Sequence, residues 1–177
     1  MRIRWILISA LAAAVVAGAV NAAGSTDPKS LLLRSSDVPS SAKRISFGGA
    51  KGAIKLPRKV HAQVAYVAYT FKNGSKNETV ADAVGIFGNS KDAHDAFAST
   101  SKKATGQLAF PKLSVKRFGD EQFARGVATR AYSAGLLVVR NGSRVWEVVL
   151  TDLPGFSKSR MISELEKYGT KAKNRAT

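Results

Sequence analysis

In two stretches of the chain, apolar side chains recur at every second position, which is the period of a strand. "QVAYVAYTF" (63–71) and "ETVADAVGIF" (78–87) both read this way, and the turn residues "KNGSKN" between them favour an antiparallel pair. In the first stretch Val67, Tyr69 and Phe71 lie on one face, because side chains of an extended chain point alternately to opposite sides. We predict that this face enters the core.

The hydrophobic spacing changes to that of a helix in two later segments. "NSKDAHDAFASTSKKA" (89–104) has Asn89 or Ser90 as a cap and an apolar stripe of Ala93, Ala96, Phe97 and Ala104. "SKSRMISELEKYGTKAKNR" (157–175) has Ser157 as a cap and a stripe of Met161, Ile162, Leu165 and Tyr168. A short apolar helix is also predicted over 31–33, where Asp27 and Pro28 suit a helix start.

The segment "GLLVVRNGSRVWEVVL" (135–150) predicts a hairpin. Asn141-Gly142 is a favoured pair for a two-residue turn, because both residues tolerate a positive φ. That turn would pair Arg140 with Ser143, Val139 with Arg144, and Leu137 with Trp146. One face of the hairpin would then carry the core side chains Leu137, Val139, Trp146, Val148 and Leu150.

Together these segments give the order α-β-β-α-β-β-β-α. Runs of strands with hairpin links, set between helices, are typical of the α+β class. We therefore predict an antiparallel β-sheet of about five strands flanked by helices, in a single domain over residues 31–177 with a basic C-terminal tail.

A secretory signal peptide is predicted over residues 1–22. Arg2 and Arg4 precede an uncharged apolar run over 5–20, and "VNA" (20–22) fits a cleavage site. The rival interpretation is an uncleaved anchor, because the apolar run approaches the length that spans a bilayer. Residues 23–30 are interpreted as a flexible leader. The expected location is secreted or extracytoplasmic, at the cell envelope.

Charge is the strongest compositional feature. Without residues 1–22 the chain has 26 lysines and arginines against 12 acids, a formal charge of +14. Such a field attracts anionic polymers and surfaces. The chain has no cysteine, which excludes lipid attachment through a lipobox, disulfides and thiolate metal sites.

A basic, acid-free stretch runs from residue 38 to 77. Within it "FGGAKGAIKLPRK" (47–59) is rich in glycine and structure breakers, which predicts an exposed basic loop. This segment is not interpreted as a phosphate-binding loop of the P-loop type, because no Gly-Lys-Ser or Gly-Lys-Thr ending is present. The residues predicted to bind anions are those of this loop and of the C-terminal tail: Lys51, Lys55, Arg58, Lys59, Lys171, Lys173 and Arg175.

Candidate catalytic groups are few. In "FGDEQFARG" (118–126), Asp120 and Glu121 are neighbours whose side chains diverge, so a turn that starts a strand is favoured over a carboxylate pair. No G-x-S-x-G elbow accompanies His94, which is predicted to lie on an exposed helix face. His61 and His94 lack the spacing of a zinc site. We expect no catalysis, cofactor or metal.

Four motifs together resemble small exported actinobacterial-type domains of unknown function. They are "LLLRSSDVPSS", "GIFGNSKDAHDAFA", "FGDEQFA" and "GLLVVRNGSRVWEVVL", and the resemblance spans residues 31–168. The chain is more distantly similar to extracytoplasmic sensor domains of receptor serine/threonine kinases and to PsbP-like folds. The resemblance implies an antiparallel sheet flanked by helices and carries over no catalytic residues. The chain lacks the cysteines of both groups and any kinase sequence.

The expected function is a basic binding domain that recognises an anionic envelope polymer, a membrane surface or a partner protein. One alternative is a small secreted hydrolase or enzyme modulator that uses Asp120, Glu121 or His94. Nucleic-acid binding is a further alternative, because Tyr66 and Tyr69 lie near basic residues, but export argues against it. For the C-terminal helix, packing against the core is favoured over lying on a membrane surface.

Overall fold

The computed structural model describes residues 26–55, 59–74, 76–108, 110–129, 132–151 and 157–176. Two 3₁₀ turns, Pro28–Leu31 and Ser35–Asp37, precede six strands and two helices. These are β1 (Lys43–Lys55), β2 (Lys59–Asn73), β3 (Lys76–Phe87), α1 (Ser90–Leu108), β4 (Glu121–Ala128), β5 (Ser133–Asn141), β6 (Arg144–Thr151) and α2 (Lys158–Ala176). The signal peptide predicted over residues 1–22 lies outside the described residues.

All six strands form one antiparallel sheet in the order β1-β2-β3-β6-β5-β4. The predicted α+β class and antiparallel sheet are confirmed. The sheet has one strand more than the roughly five expected, and the short helix predicted over 31–33 is instead a 3₁₀ turn that ends at Leu31. The fold begins within the predicted leader, because Asp27 caps this turn through a 3.0 Å hydrogen bond from the Lys29 amide.

The sheet is covered on both faces. One face packs against α2 and the N-terminal 3₁₀ segment, and Trp146 lies there fully buried with the edge of Phe118 against it at 5.9 Å between ring centroids. The other face packs against α1 through Ala93, Ala96 and Phe97. The sequence-predicted core faces of β2, of the β5–β6 hairpin and of both helices are buried as expected.

The prediction of an exposed loop over residues 47–59 is wrong. Residues 43–55 form β1, which pairs with β2 from Lys43 opposite Thr70 to Lys55 opposite Lys59. Gly48 lies opposite Tyr66, and a Cβ on Gly48 would stand 2.6 Å from the Tyr66 hydroxyl oxygen. The tyrosine ring therefore covers the glycine across the strand pair, which compensates for a residue that favours strands poorly.

The predicted β5–β6 register is displaced by one residue at the turn. Asn141 pairs with Arg144, so the turn residues are Gly142 and Ser143, and Val139 lies opposite Trp146. Asp120 fixes this turn, because its carboxylate accepts a 2.8 Å hydrogen bond from the Gly142 amide. Gly142 has φ 56°, as the first position of a hairpin turn requires. Each residue of β5 therefore pairs with a residue of β6 two positions later than predicted. Because side chains alternate with period two, the buried face of the hairpin is still the one predicted.

Candidate anion-binding groove

The N-terminal segment lies across β2 and β3 and is fixed there by its backbone. The Leu33 amide donates a 2.7 Å hydrogen bond to the buried Asp82 carboxylate, and the Tyr69 hydroxyl donates to the Leu33 carbonyl at 3.3 Å. Leu32 and Leu33 are themselves buried in the core. Two residues of this segment, Lys29 and Arg34, are thereby held beside the first residues of β1.

An open groove of about 540 Å³ lies between this segment and β1. Its lining contains three cations and two aromatic rings, contributed by Lys29, Arg34, Arg44, Phe47 and Tyr69. No carboxylate belongs to the lining, and among the described residues none of the three cations forms an ion pair with one. The charged side chains of the groove lining are therefore all positive.

The Phe47 ring organises two of these cations. Its side chain is 46% exposed, with the Lys29 ammonium 5.6 Å and the Arg44 guanidinium carbon 4.9 Å from the ring centroid. A cation over an aromatic face at this distance is attracted by the ring quadrupole. The ring thus holds both charges at one place on the edge of the sheet.

The end of α2 is attached next to this groove. Asp37 accepts a 2.7 Å hydrogen bond from Arg175 Nε and another from the Arg34 amide at 2.8 Å, and Lys171 donates to the Asp37 carbonyl. Burial tends to raise the pKa of Asp37, but the hydrogen bonds and the positive charges of Arg175 and Lys171 outweigh burial and hold it below its usual value. Asp37 therefore stays ionised and ties α2 to the segment that lines the groove.

The residues predicted to bind anions divide into two groups. Lys171 and Arg175 lie beside the groove but bind Asp37, and Lys173 belongs to the same end of α2 and also has a contact. Lys51, Lys55 and Lys59 belong to the far half of the β1–β2 hairpin by their backbone positions, and Arg58 lies outside the described residues. For these hairpin residues, anion binding stays a prediction.

Sequence reasoning missed Lys29 and Arg34 as site residues, because they come from a segment interpreted as a leader and a short apolar helix. Arg44 was part of the recognised basic stretch but was not singled out. The one sequence signal available was Phe47 in "KRISF", an aromatic residue that closely follows the adjacent cations Lys43 and Arg44 in sequence. Its exposure depends on β1 being the sheet edge, which only the strand order reveals.

A second cluster brings together the residues of the hydrolase alternative. Glu121 Oε2 lies 2.9 Å from His94 Nδ1 and accepts from Arg140 Nε, and Arg140 Nη1 lies 3.3 Å from Asp120. The His94 and Asp120 side chains are 54% and 50% exposed, so the cluster lies on the surface. Burial tends to raise the pKa of Glu121, but the hydrogen bonds and charges of His94 and Arg140 lower it below its usual value.

The contacts of this cluster fit a structural role. Glu121 joins α1 to the start of β4, and Asp120 fixes the β5–β6 turn, so both carboxylates are engaged in holding elements together. The predicted turn that starts a strand is confirmed at β4. Among the described residues no group of three or more potential ligands could hold a metal ion. Within the same residues no helix is long and apolar enough to cross a membrane.

Comparisons of the chain with protein-family models, with curated proteins and with solved structures gave no match. The resemblance to exported actinobacterial-type domains stays a prediction, and the site is interpreted from its own chemistry.

Proposed function

We propose that the mature domain acts outside the cytoplasm as a non-catalytic binding protein whose groove holds a phosphate-bearing polymer or headgroup of the cell envelope. The observation that supports it most directly is the pair of Lys29 and Arg44 over one exposed ring, with Arg34 in the same lining and no carboxylate in it. The protein's overall positive charge adds a field that speeds encounter with such a ligand.

The cations suit phosphate for different reasons. A guanidinium presents two parallel N–H donors that match two phosphate oxygens, whereas an ammonium acts as a point charge. Arg34 and Arg44 would supply the directional hydrogen bonds, and Lys29 the additional attraction. The apolar face of Phe47 would contact the part of the ligand that links its charged groups.

The form of the groove favours one segment of a larger anion over a small enclosed molecule. Small-molecule sites cover most of their ligand's surface, whereas this groove is open along the edge of the sheet. A repeating polymer or a headgroup projecting from a surface can enter it without being released from the rest of its structure.

The decisive experiment compares two triple variants with equal loss of charge. Lys29→Gln/Arg34→Gln/Arg44→Gln removes the groove cations, and Lys91→Gln/Lys102→Gln/Lys103→Gln removes three cations from exposed positions on α1. Binding is measured to soluble polyphosphate and, separately, to phosphatidylglycerol vesicles over a salt series. The groove variant should bind at least about tenfold more weakly, since each lost charged contact costs about 1 kcal/mol or more.

The two probes identify the source of the phosphate, and the salt series identifies the force. Tight binding to polyphosphate alone indicates a polymer, and tight binding to vesicles alone indicates a headgroup. Affinity should fall as salt rises, because exposed charges are screened. Equal losses in the two triple variants, or binding that ignores salt, would contradict the proposal.

A further inference from the structure

A small cleft lies on the sheet face that carries α1, between β2, β3 and β6. Its lining includes Tyr66, Ala81, Ala83 and Val149 together with two acidic residues, Glu147 and Asp82. By the strand register, only the Glu147 side chain lies on this face of the sheet. The volume is about 20 Å³, room for one water-sized group. The cleft is distinct from the anion-binding groove, whose lining comes from the N-terminal segment, β1 and Tyr69.

Glu147 is the unusual member of this cleft. Its neighbours on the same face of β6 are Val145 and Val149, both in the apolar cluster under α1, and the residue is only 4% exposed. Its buried Oε2 atom has no hydrogen-bond partner in the described part of the chain. An acceptor buried in this way costs free energy that a suitable donor would recover.

A second buried carboxylate lies behind the cleft. Asp82 is opposite Val148 in the β3–β6 pairing, so its side chain lies on the other face of the sheet, where it accepts from the Leu33 amide. It therefore serves the N-terminal segment, but its charge is near enough to affect Glu147. When Glu147 is ionised, the cleft carries negative charge within a basic protein, so in that state it favours a ligand of the opposite sign from the groove's.

We infer that this cleft is a second ligand site, which binds a primary ammonium group carried on a slim aliphatic stem. An ammonium is small enough for the volume and brings three N–H donors to the unpaired Glu147 oxygen. The alanine and valine walls match methylene groups of the stem. A guanidinium is too wide for the space.

Methyl NMR spectra of the full-length mature protein test this site directly. At about pH 9 the Glu147 carboxyl, whose pKa burial raises to about 8, is ionised while an alkylammonium is still protonated. Under these conditions n-butylammonium should cause saturable shifts of the Ala81, Ala83 and Val149 methyl signals. n-Butanol, which keeps the stem without the charge, and tetramethylammonium, which keeps the charge without donors, should not. Shifts of equal affinity with butanol would show that the acid plays no part and would overturn the inference.

Variants separate the role of Glu147 from general charge effects. Glu147→Gln removes the ionisable carboxyl at nearly constant size. As a control, Glu164→Gln makes the same change on α2, where Glu164 pairs with Lys167 outside the cleft. Butylammonium affinity should fall at least about tenfold in the first and stay unchanged in the second.

Ala81→Val narrows the cleft without altering Glu147, so this variant tests the proposed site even if Glu147→Gln does not fold. It should also weaken butylammonium binding. No saturable shift in the native protein, or undiminished binding in Ala81→Val, would overturn the proposed site.

Discussion

Replacement of Glu147 by glutamine should remove part of the pH dependence of stability between pH 4.5 and 8; Asp82, whose pKa burial raises to about 7, contributes in both proteins. Burial, with a contribution from the Asp82 charge, raises the pKa of Glu147 from 4.5 to about 8. The folded state therefore binds the Glu147 proton more tightly than the unfolded state does. The stability associated with this group is greatest below pH 4.5 and is lost as the pH rises toward 8.

The size of this loss follows from the shift. Each pH unit between the two pKa values removes about 1.4 kcal/mol, so Glu147 lowers the free energy of unfolding by about 3 kcal/mol between pH 4.5 and 7. That is a large share of the 5–15 kcal/mol typical of a single domain. Glutamine does not titrate in this range. The free energy of unfolding of the variant should therefore increase relative to that of the native protein as the pH rises.

Urea unfolding at a series of pH values measures this difference. Near pH 4.5 the two proteins should be similarly stable, because a protonated carboxyl and an amide are alike in size and both lack a partner. At pH 7 the variant should be more stable by about 3 kcal/mol. Glu164→Gln controls for the change in net charge and should keep the native slope. Parallel curves for native protein and Glu147→Gln would refute the reasoning.

Two further variants test the packing of the sheet's other face. Asp37→Asn should lower the free energy of unfolding by about 1–3 kcal/mol, because Arg175 loses a partly buried charged partner. As the pKa of Asp37 is depressed, this deficit should be present at neutral pH and disappear in acid unfolding titrations as Asp37 protonates; a deficit independent of pH would contradict the ion pair. Gly126→Ala should cost about 1–3 kcal/mol in urea unfolding, because its Cβ would stand 2.7 Å from Leu113 Cδ1 and closer still to Met161 Sδ. Gly88→Ala, whose Cβ meets nothing within 4 Å, is its control, and equal effects of the two would contradict the crowding at Gly126.

Local patterns were sufficient for elements whose hydrophobic period is regular. Both helices, β2, β3 and the β5–β6 hairpin follow from periods of 3.6 or two, and the predicted caps are present. Asn89 Oδ1 accepts from the Asp92 amide at 2.9 Å, and Ser157 Oγ accepts from the Arg160 amide at 3.2 Å. Each of these contacts joins residues three apart in sequence, so the local sequence is enough to predict it.

The element that local reasoning missed depends on a distant partner. The glycines and lysines of β1 favour a loop, and the segment becomes a strand because β2 provides a complete ladder and Tyr66 covers Gly48. Gly119 shows a related limit. Conformational freedom alone would favour a glycine at this turn. The structure requires glycine for another reason, because a Cβ at this position would lie 2.5 Å from the Arg140 carbonyl oxygen of β5.

The sequence indicates positive charge in this part of the chain, but it does not indicate which residues line the groove. Arg44 belongs both to the acid-free stretch and to the groove lining. Lys29 and Arg34 join it because long-range contacts fix the N-terminal segment on the sheet, among them the hydrogen bond from Leu33 to Asp82, 49 residues away in sequence. Contacts between distant residues therefore decide which cations meet.

The placement of the acids explains why so basic a chain folds and still presents its charge outward. Carboxylates are concentrated at structural contacts: Asp82 and Glu147 are buried in the sheet, and Asp37 and Glu121 bind arginines. Acids engaged internally compensate fewer of the cations on the surface. The groove lining contains Lys29, Arg34 and Arg44 and no carboxylate, because the acids beside it, Asp37 and Asp82, are engaged with Arg175 and with the backbone of the N-terminal segment.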